Sequence, residues 1–274
     1  MTRDELDIAI AWAAAEGWNP GLQDAECFYN TDPAGFLMGF LDGEPIASIS
    51  AVKYGKTFGF IGFYIVKPDF RGQGYGLEIW NAALNYLQGR NIGLDGVVAQ
   101  QDNYIKSGFN LAYRNIRYEG ISLSLGRGSD TDCVPLASLP IKTVIEYDRR
   151  FFFEVRSHFI QCWIAQPNSH AVGAVEGQTL VGYGILRPSQ SGYKIGPLFA
   201  DTATVADKVF RALVAKVPQG STFCLDVPEV NHEAVALTKR YDMPPVFETA
   251  RMYTQEAPKL PVAGIFGVTT FELG

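Results

Sequence analysis

The hydrophobic pattern of this chain changes period on either side of Pro68. Before it, "KTFGFIGFYIVKP" is almost continuous in aromatic and β-branched residues, as a buried strand is. After it, "LEIWNAALNYL" is apolar at Leu77, Trp80, Ala83, Leu84 and Leu87, the spacing of one helix face. The first residues, "MTRDELDIAIAWAAAEGW", predict an amphipathic helix opened by a capping box of Thr2 and Glu5. Between the strand and the second helix stand Arg71, Gly72, Gly74 and Gly76.

Glycines at a strand-to-helix junction let the backbone turn sharply and approach a bulky ligand. The first N–H groups of a helix have no partner within it, and its dipole favours an anion there. Strand, glycine loop and helix together therefore read as a phosphate site. A P-loop would need Lys-Ser/Thr after its last glycine, and a dinucleotide fingerprint would need glycine where Leu77 stands. Taken alone, such glycines also suit a plain turn at a helix start.

A second motif, "DNYIKSGF" at residues 102–109, accompanies the first. With both, the chain resembles the GNAT acetyltransferase superfamily, whose loop has the form [RQ]-x-x-G-x-[GA] and whose next helix commonly carries Y-x-x-x-G-F. The resemblance implies that Arg71, Gly72, Gln73, Gly74, Tyr75, Gly76 and Leu77 hold the pyrophosphate of acetyl-CoA. It implies that Tyr64, Ile65 and Val66 line the pantetheine arm, and that Tyr104 protonates the departing thiolate. The plain alternative for Tyr104 is a ring packed at a helix end. The likeness spans the first half of the chain, through the hairpin "GFLMGFLDGEPIASISAVKY" turning at Asp42–Gly43 and on to "NLAYRNIRYEG".

The second half repeats the first at an offset of 134 residues: Asp42–Gly43 with Glu176–Gly177, "IGF" at 61–63 with "IGP" at 195–197, Arg117 with Arg251. Read without gaps, "RGQGYG" becomes "VADKVF" and Tyr104 becomes Thr238, so the second copy has lost both motifs. The expected fold is α/β: a tandem GNAT fold of two similar mixed-sheet halves with helices on both faces. Residues 1–125 form the domain carrying the loop, residues 140–274 the degenerate one, and the join falls near "GRGSDTDCVPLASLP". This arrangement resembles the YitH-type two-domain proteins.

Composition narrows the partners. The chain has 274 residues, 47% hydrophobic and 19% charged, with a net charge of −6 and no basic run. Neither nucleic acid nor membrane is expected to be a partner. The acidic N-terminus lacks the basic region of a signal peptide. The cysteines Cys27, Cys133, Cys162 and Cys224 are far apart and are read as reduced thiols of a cytoplasmic protein. His158 and Cys162 share a helix face, but no further ligands join them and no metal is expected.

The implied reaction is direct attack of a small-molecule primary amine on acetyl-CoA. The alternatives are a non-catalytic acyl-CoA sensor, or an acetyltransferase acting on a protein or peptide amine. The strand "FGFIGFYIV" carries no acid to take the amine's proton. Glu26, Asp95, Asp102 and His232 are candidates, none preferred. Trp18 and Phe28 could wall the acceptor pocket, and Asp24 or Glu26 could neutralise a cation there.

Overall fold

The structure, a computed structural model, describes residues 1–122, 133–152 and 154–274. Residues 126–132 of the predicted join lie outside the described residues. The first half runs α1 (Arg3–Ala15), α2 (Asp24–Thr31), β1 (Phe36–Leu41), β2 (Glu44–Tyr54), β3 (Phe58–Val66), α3 (Tyr75–Tyr86), β4 (Asn91–Val97), α4 (Gln101–Lys106) and β5 (Asn110–Ile121). Next come β6 (Cys133–Pro135), α5 (Ile141–Asp148), α6 (Ser157–Ile164), β7 (His170–Glu176), β8 (Thr179–Pro188), β9 (Tyr193–Ala200), α7 (Ala203–Val214), β10 (Thr222–Pro228), α8 (His232–Arg240), β11 (Pro245–Tyr253) and β12 (Ile265–Gly267).

Local chemistry accounts for the element ends. Thr2 and Glu5 form the expected capping box on α1. Asp42 and Gly43 both take positive φ, at 50° and 84°, the turn that suits a two-residue hairpin. Helices cover both faces of the mixed sheet. α1, α2, α5 and α6 share one apolar cluster that crosses from half to half, including Leu6, Phe28, Val144 and Trp163. α3 packs in a second cluster around Trp80 and α7 in a third around Phe210.

The two halves exchange their last strands. The sheet order is β1-β2-β3-β4-β11-β5-β10-β9-β8-β7-β6, with β12 on β9. β11 thus lies against β4 of the first half, and β5 against β10 of the second. The repeated arginines sit on these exchanged strands and reach across. Arg117 of β5 binds Asp226 of β10 through two hydrogen bonds of 2.6 and 2.8 Å. Arg251 of β11 binds Asp95 of β4, with Nε 2.8 Å from Oδ1. Both pairs are buried, as the seam of a continuous sheet requires.

Two expectations from the sequence are corrected. Cys27 and Cys162 are not free thiols: they form a disulfide joining α2 to α6, with Cα atoms 5.4 Å apart. The two positions are near-equivalents in the repeat, and packing α2 on α6 brings them face to face; separation along the chain hid this. The cytoplasmic reading loses the support it took from four reduced thiols. No helix among the described residues is long and apolar enough to cross a membrane.

The second correction concerns the gapless repeat. "VADKVF" lies inside α7 and is not the structural counterpart of "RGQGYG". In the first half, residues 67–74 separate β3 from α3; in the second, only Asp201 and Thr202 separate β9 from α7. Thr202 caps that helix with its own side chain, accepting from Val205 N–H at 3.2 Å. The glycine loop has no counterpart there.

Candidate active site

The site begins where β3 and β4 part. They pair in parallel from Phe58↔Asn91 to Ile61↔Leu94, and no further. On its other side β3 slips register against β2 between Ser48 and Ser50, and Phe63 takes φ of 48°, strained for a non-glycine residue. The Ser48 hydroxyl holds this bulge by donating to the Phe63 carbonyl at 2.8 Å. The parted strands open a cavity of about 380 Å³.

β9 and β10 part in the same way, pairing only from Tyr193↔Phe223 to Ile195↔Leu225. That second cleft is filled by the chain itself. β12 pairs with β9 at Phe199 and Leu198, and Val268 N–H donates to the Asp226 carbonyl at 2.8 Å. The second half therefore lacks both the loop and an open cleft.

Tyr64, Ile65, Val66, Arg71, Gly72, Gly76 and Tyr104 all line the first cavity. Gln73, Gly74, Tyr75 and Leu77 lie on the loop and first turn of α3, outside the cavity wall. Gly72 and Gly74 take φ of 76° and 94°, and a Cβ on either would meet nothing within 4 Å, so the loop is open on its outer side. Among the described residues, no N–H of positions 72–76 meets a protein acceptor; the first in the turn to do so is Leu77, on Gly74 O at 3.0 Å. Free donors at a helix start are an arrangement that favours an anion, which makes this loop a candidate cradle. Arg71 braces it: Nε donates to Val66 O at 2.8 Å, and the guanidinium pairs with Glu16 of α1.

Tyr104, near the middle of α4, is buried in the cavity wall. Its ring lies 5.6 Å from that of Trp80. Gly96 makes room for it, since a Cβ there would sit 2.7 Å from Tyr104 Cδ2. Burial, and then the nearby Tyr64, push the Tyr104 hydroxyl well above the usual phenol range. It is a neutral donor throughout the physiological range.

The other candidates divide. Trp18 lines the cavity, whereas Phe28 is core, 5.7 Å from Phe63 and from Trp163. Asp24 is buried and tied to Arg187, Nε to Oδ1 at 2.8 Å, so it is not available to a cation. Glu26 bonds Arg3 and Asn30 on the surface. Asp102 and His232 are exposed and do not line the cavity. Asp95 does line it but is held by Arg251 and by Asn115 at 2.8 Å. Residues that sequence reasoning missed come from the second half: Phe247 and Thr249 on β11, and Phe271 and Glu272 on the C-terminal tail. Only the glycine at 62 hinted at the tail. A Cβ there would meet the Glu272 backbone, and the repeat-related Gly196 would meet Thr269 O at 2.5 Å.

Residues 5–106 match the family model described as "Acetyltransferase (GNAT) family", and residues 144–267 match "Acetyltransferase (GNAT) domain". A holothin acyltransferase from Pseudoalteromonas sp. (strain SANK 73390) is 33% identical over 271 residues, 99% of this chain and 92% of the relative. A putative acetyltransferase from Pyrococcus horikoshii shares the fold with a TM-score of 0.85 at 23% identity, over 100% of this chain and 94% of the other. A tandem GNAT protein from the clavulanic acid biosynthesis pathway does so at 0.66 and 14%, over 94% and 98%. With a GNAT match in each half and a relative aligned over nearly its whole length, the chain belongs to the GNAT acyltransferases and is an acyl-transferring enzyme.

Proposed function

We propose that the chain transfers an acetyl group from acetyl-CoA to a primary amine of a small molecule. The observation that carries this is an open cleft between β3 and β4, with unpartnered N–H groups in the adjoining loop and Tyr104 on its wall. The donors at residues 72–76 and the open glycines fit a pyrophosphate, and the parted edge of β3 at residues 64–66 fits an extended arm. Acetyl-CoA, when bound, supplies the activated thioester.

The chain's own residues then do three things. The cradle and cleft hold the donor in line with the acceptor, which lowers the entropic part of the barrier. Tyr104 delivers its hydroxyl proton to the leaving sulfur. Residues of β11 and the tail wall part of the cavity, an enclosure that favours a small ligand over a polypeptide. An alkyl ammonium must also lose a proton before attack, at about 4–5 kcal/mol at pH 7.

The test is thiol release from acetyl-CoA with holothin, the acceptor named for the relative, and with alkyl amines such as 2-phenylethylamine. Calorimetry should show one acetyl-CoA site per chain, abolished in Gly74→Glu. Tyr104→Phe should cost about 10–100-fold in kcat, the low end for an acid because a thiolate is a weak base, with acetyl-CoA affinity kept. Binding without thiol release to any amine, and no effect of Tyr104→Phe, would instead mark an acyl-CoA-binding module.

A further inference from the structure

We infer that Glu272, delivered by the second half's C-terminal tail into the first half's cavity, is the group that takes the acceptor amine's proton. The inference rests on the amine reading above. Three carboxylate residues line the cavity: Glu16, Asp95 and Glu272. Glu16 is engaged by Arg71 beside the cradle, and Asp95 is held by the guanidinium of Arg251 and by Asn115. Glu272 is buried and, among the described residues, forms no ion pair. Its carboxylate accepts one hydrogen bond, from the Thr270 hydroxyl.

The tail is fastened on both sides of this residue, so the side chain is placed rather than trailing. Gly62 admits the Glu272 backbone against β3. Tyr54 donates its hydroxyl to Leu273 O at 3.0 Å, and Arg156 Nη1 donates to Gly274 O at 3.2 Å. Phe271 turns its ring under the Arg117 guanidinium, 5.0 Å away, and joins Trp18 in the cavity wall. The charged groups around Glu272 are Arg117 of β5, already bound to Asp226 of β10, and Lys194 of β9. The Lys194 ammonium group is buried without a hydrogen-bond partner. Burial, then Arg117, lowers its pKa.

The proton accounting closes without another reactant. Glu272 takes one proton from the ammonium and releases it to water. The nitrogen lone pair forms the N–C bond as the C–S bond breaks, its electron pair going to sulfur. Tyr104 gives that sulfur a proton and recovers one from the new amide nitrogen. Ammonium and thioester become amide, thiol and one released proton.

The experiment measures kcat/KM for 2-phenylethylamine from pH 6 to 10, at saturating acetyl-CoA, in wild type, Glu272→Gln and Glu272→Asp. Expected for the Gln variant is a loss of about 100-fold or more at pH 7. The deficit should shrink as pH rises and free amine accumulates, with acetyl-CoA affinity unchanged. The Asp variant should recover part of the activity. Should the Gln variant unfold, the Asp variant carries the test, because a displaced base gives a deficit that narrows with pH. A deficit constant across pH, or wild-type activity in the Gln variant, overturns the assignment while leaving amine transfer intact. A wild-type enzyme that acetylates no amine overturns both.

Discussion

Replacing Gly62 by alanine tests the path of the tail directly. A Cβ at this position would stand 2.9 Å from Glu272 C and 3.0 Å from its Cα, and nearer still to the carbonyl oxygen. Ordinary Cβ contacts lie at 3.4–4 Å, so the tail must retreat by about an ångström or more to clear its carbonyl oxygen. The obstacle is backbone, which cannot rotate aside as a long side chain can. Such overpacking typically costs about 1–3 kcal/mol. In a protein of this size that corresponds to a fall of about 2–12 °C in Tm. The same shift moves Glu272 and Phe271 in the cavity wall, so acceptor KM should rise while acetyl-CoA affinity, which the proposal assigns to residues 72–76, should hold. Gly72→Ala is the control with the opposite profile. Its Cβ would meet nothing within 4 Å, but its φ of 76° is strained for alanine by about 1–2 kcal/mol. That loop lies exposed beside the cradle, so acetyl-CoA affinity should fall and acceptor KM should not. Tm by scanning calorimetry and acceptor KM by thiol release decide the matter. Wild-type values of both in Gly62→Ala would refute the placement of the tail against β3.

Two further predictions concern the seam between the halves. Thiol titration of the denatured, unreduced protein should find two reactive cysteines, Cys133 and Cys224, and four after reduction; four from the start would remove the Cys27–Cys162 bond. Loss of that bond in a Cys27→Ser, Cys162→Ser double variant should cost about 2–4 kcal/mol. The two arginine–aspartate pairs should respond oppositely to acid. Burial alone would raise the Asp226 pKa, but the charge and hydrogen bonds of Arg117 outweigh it and the net shift is downward. Its contribution is therefore present above the unfolded carboxylate value near 3.9 and lost as pH falls through the lower folded value. For Asp95 burial prevails and the shift is upward, so its contribution is present below the unfolded value and lost as pH rises through the folded one. Asp226→Asn and Asp95→Asn should each cost about 3–5 kcal/mol at pH 7, because each leaves a buried guanidinium without its partner. Denaturant melts of both variants at pH 7 and pH 4 check this; no loss of stability in either variant at pH 7 would contradict it.

Much of the first half was legible because its signals are local. A period of two or a continuous apolar run, a helical stripe, a capping box and a glycine turn each act within a few residues. They located β3, the loop and α3, and with the Tyr104 motif they named seven residues that meet at one cavity. The repeat, a comparison of the chain with itself, identified two like halves and the loss of the loop in the second. It misaligned the two halves there, because residues 67–74 stand where the second half has only Asp201 and Thr202.

What the sequence determined by itself is therefore the local elements of the first half and the glycine loop that opens α3. Tertiary structure alone decided which strands sit side by side. The exchange of β5 and β11 brings Arg117 to Asp226 and Arg251 to Asp95, pairs on opposite sides of the join between halves. Folding α2 on α6 brings Cys27 to Cys162. The tail, which carries no motif, crosses the second half's cleft and places Phe271 and Glu272 in the cavity of the first. These contacts join residues far apart in the chain, and no periodicity records them. They form because exchanged edge strands bury the seam between the halves, where an unpaired charge is costly.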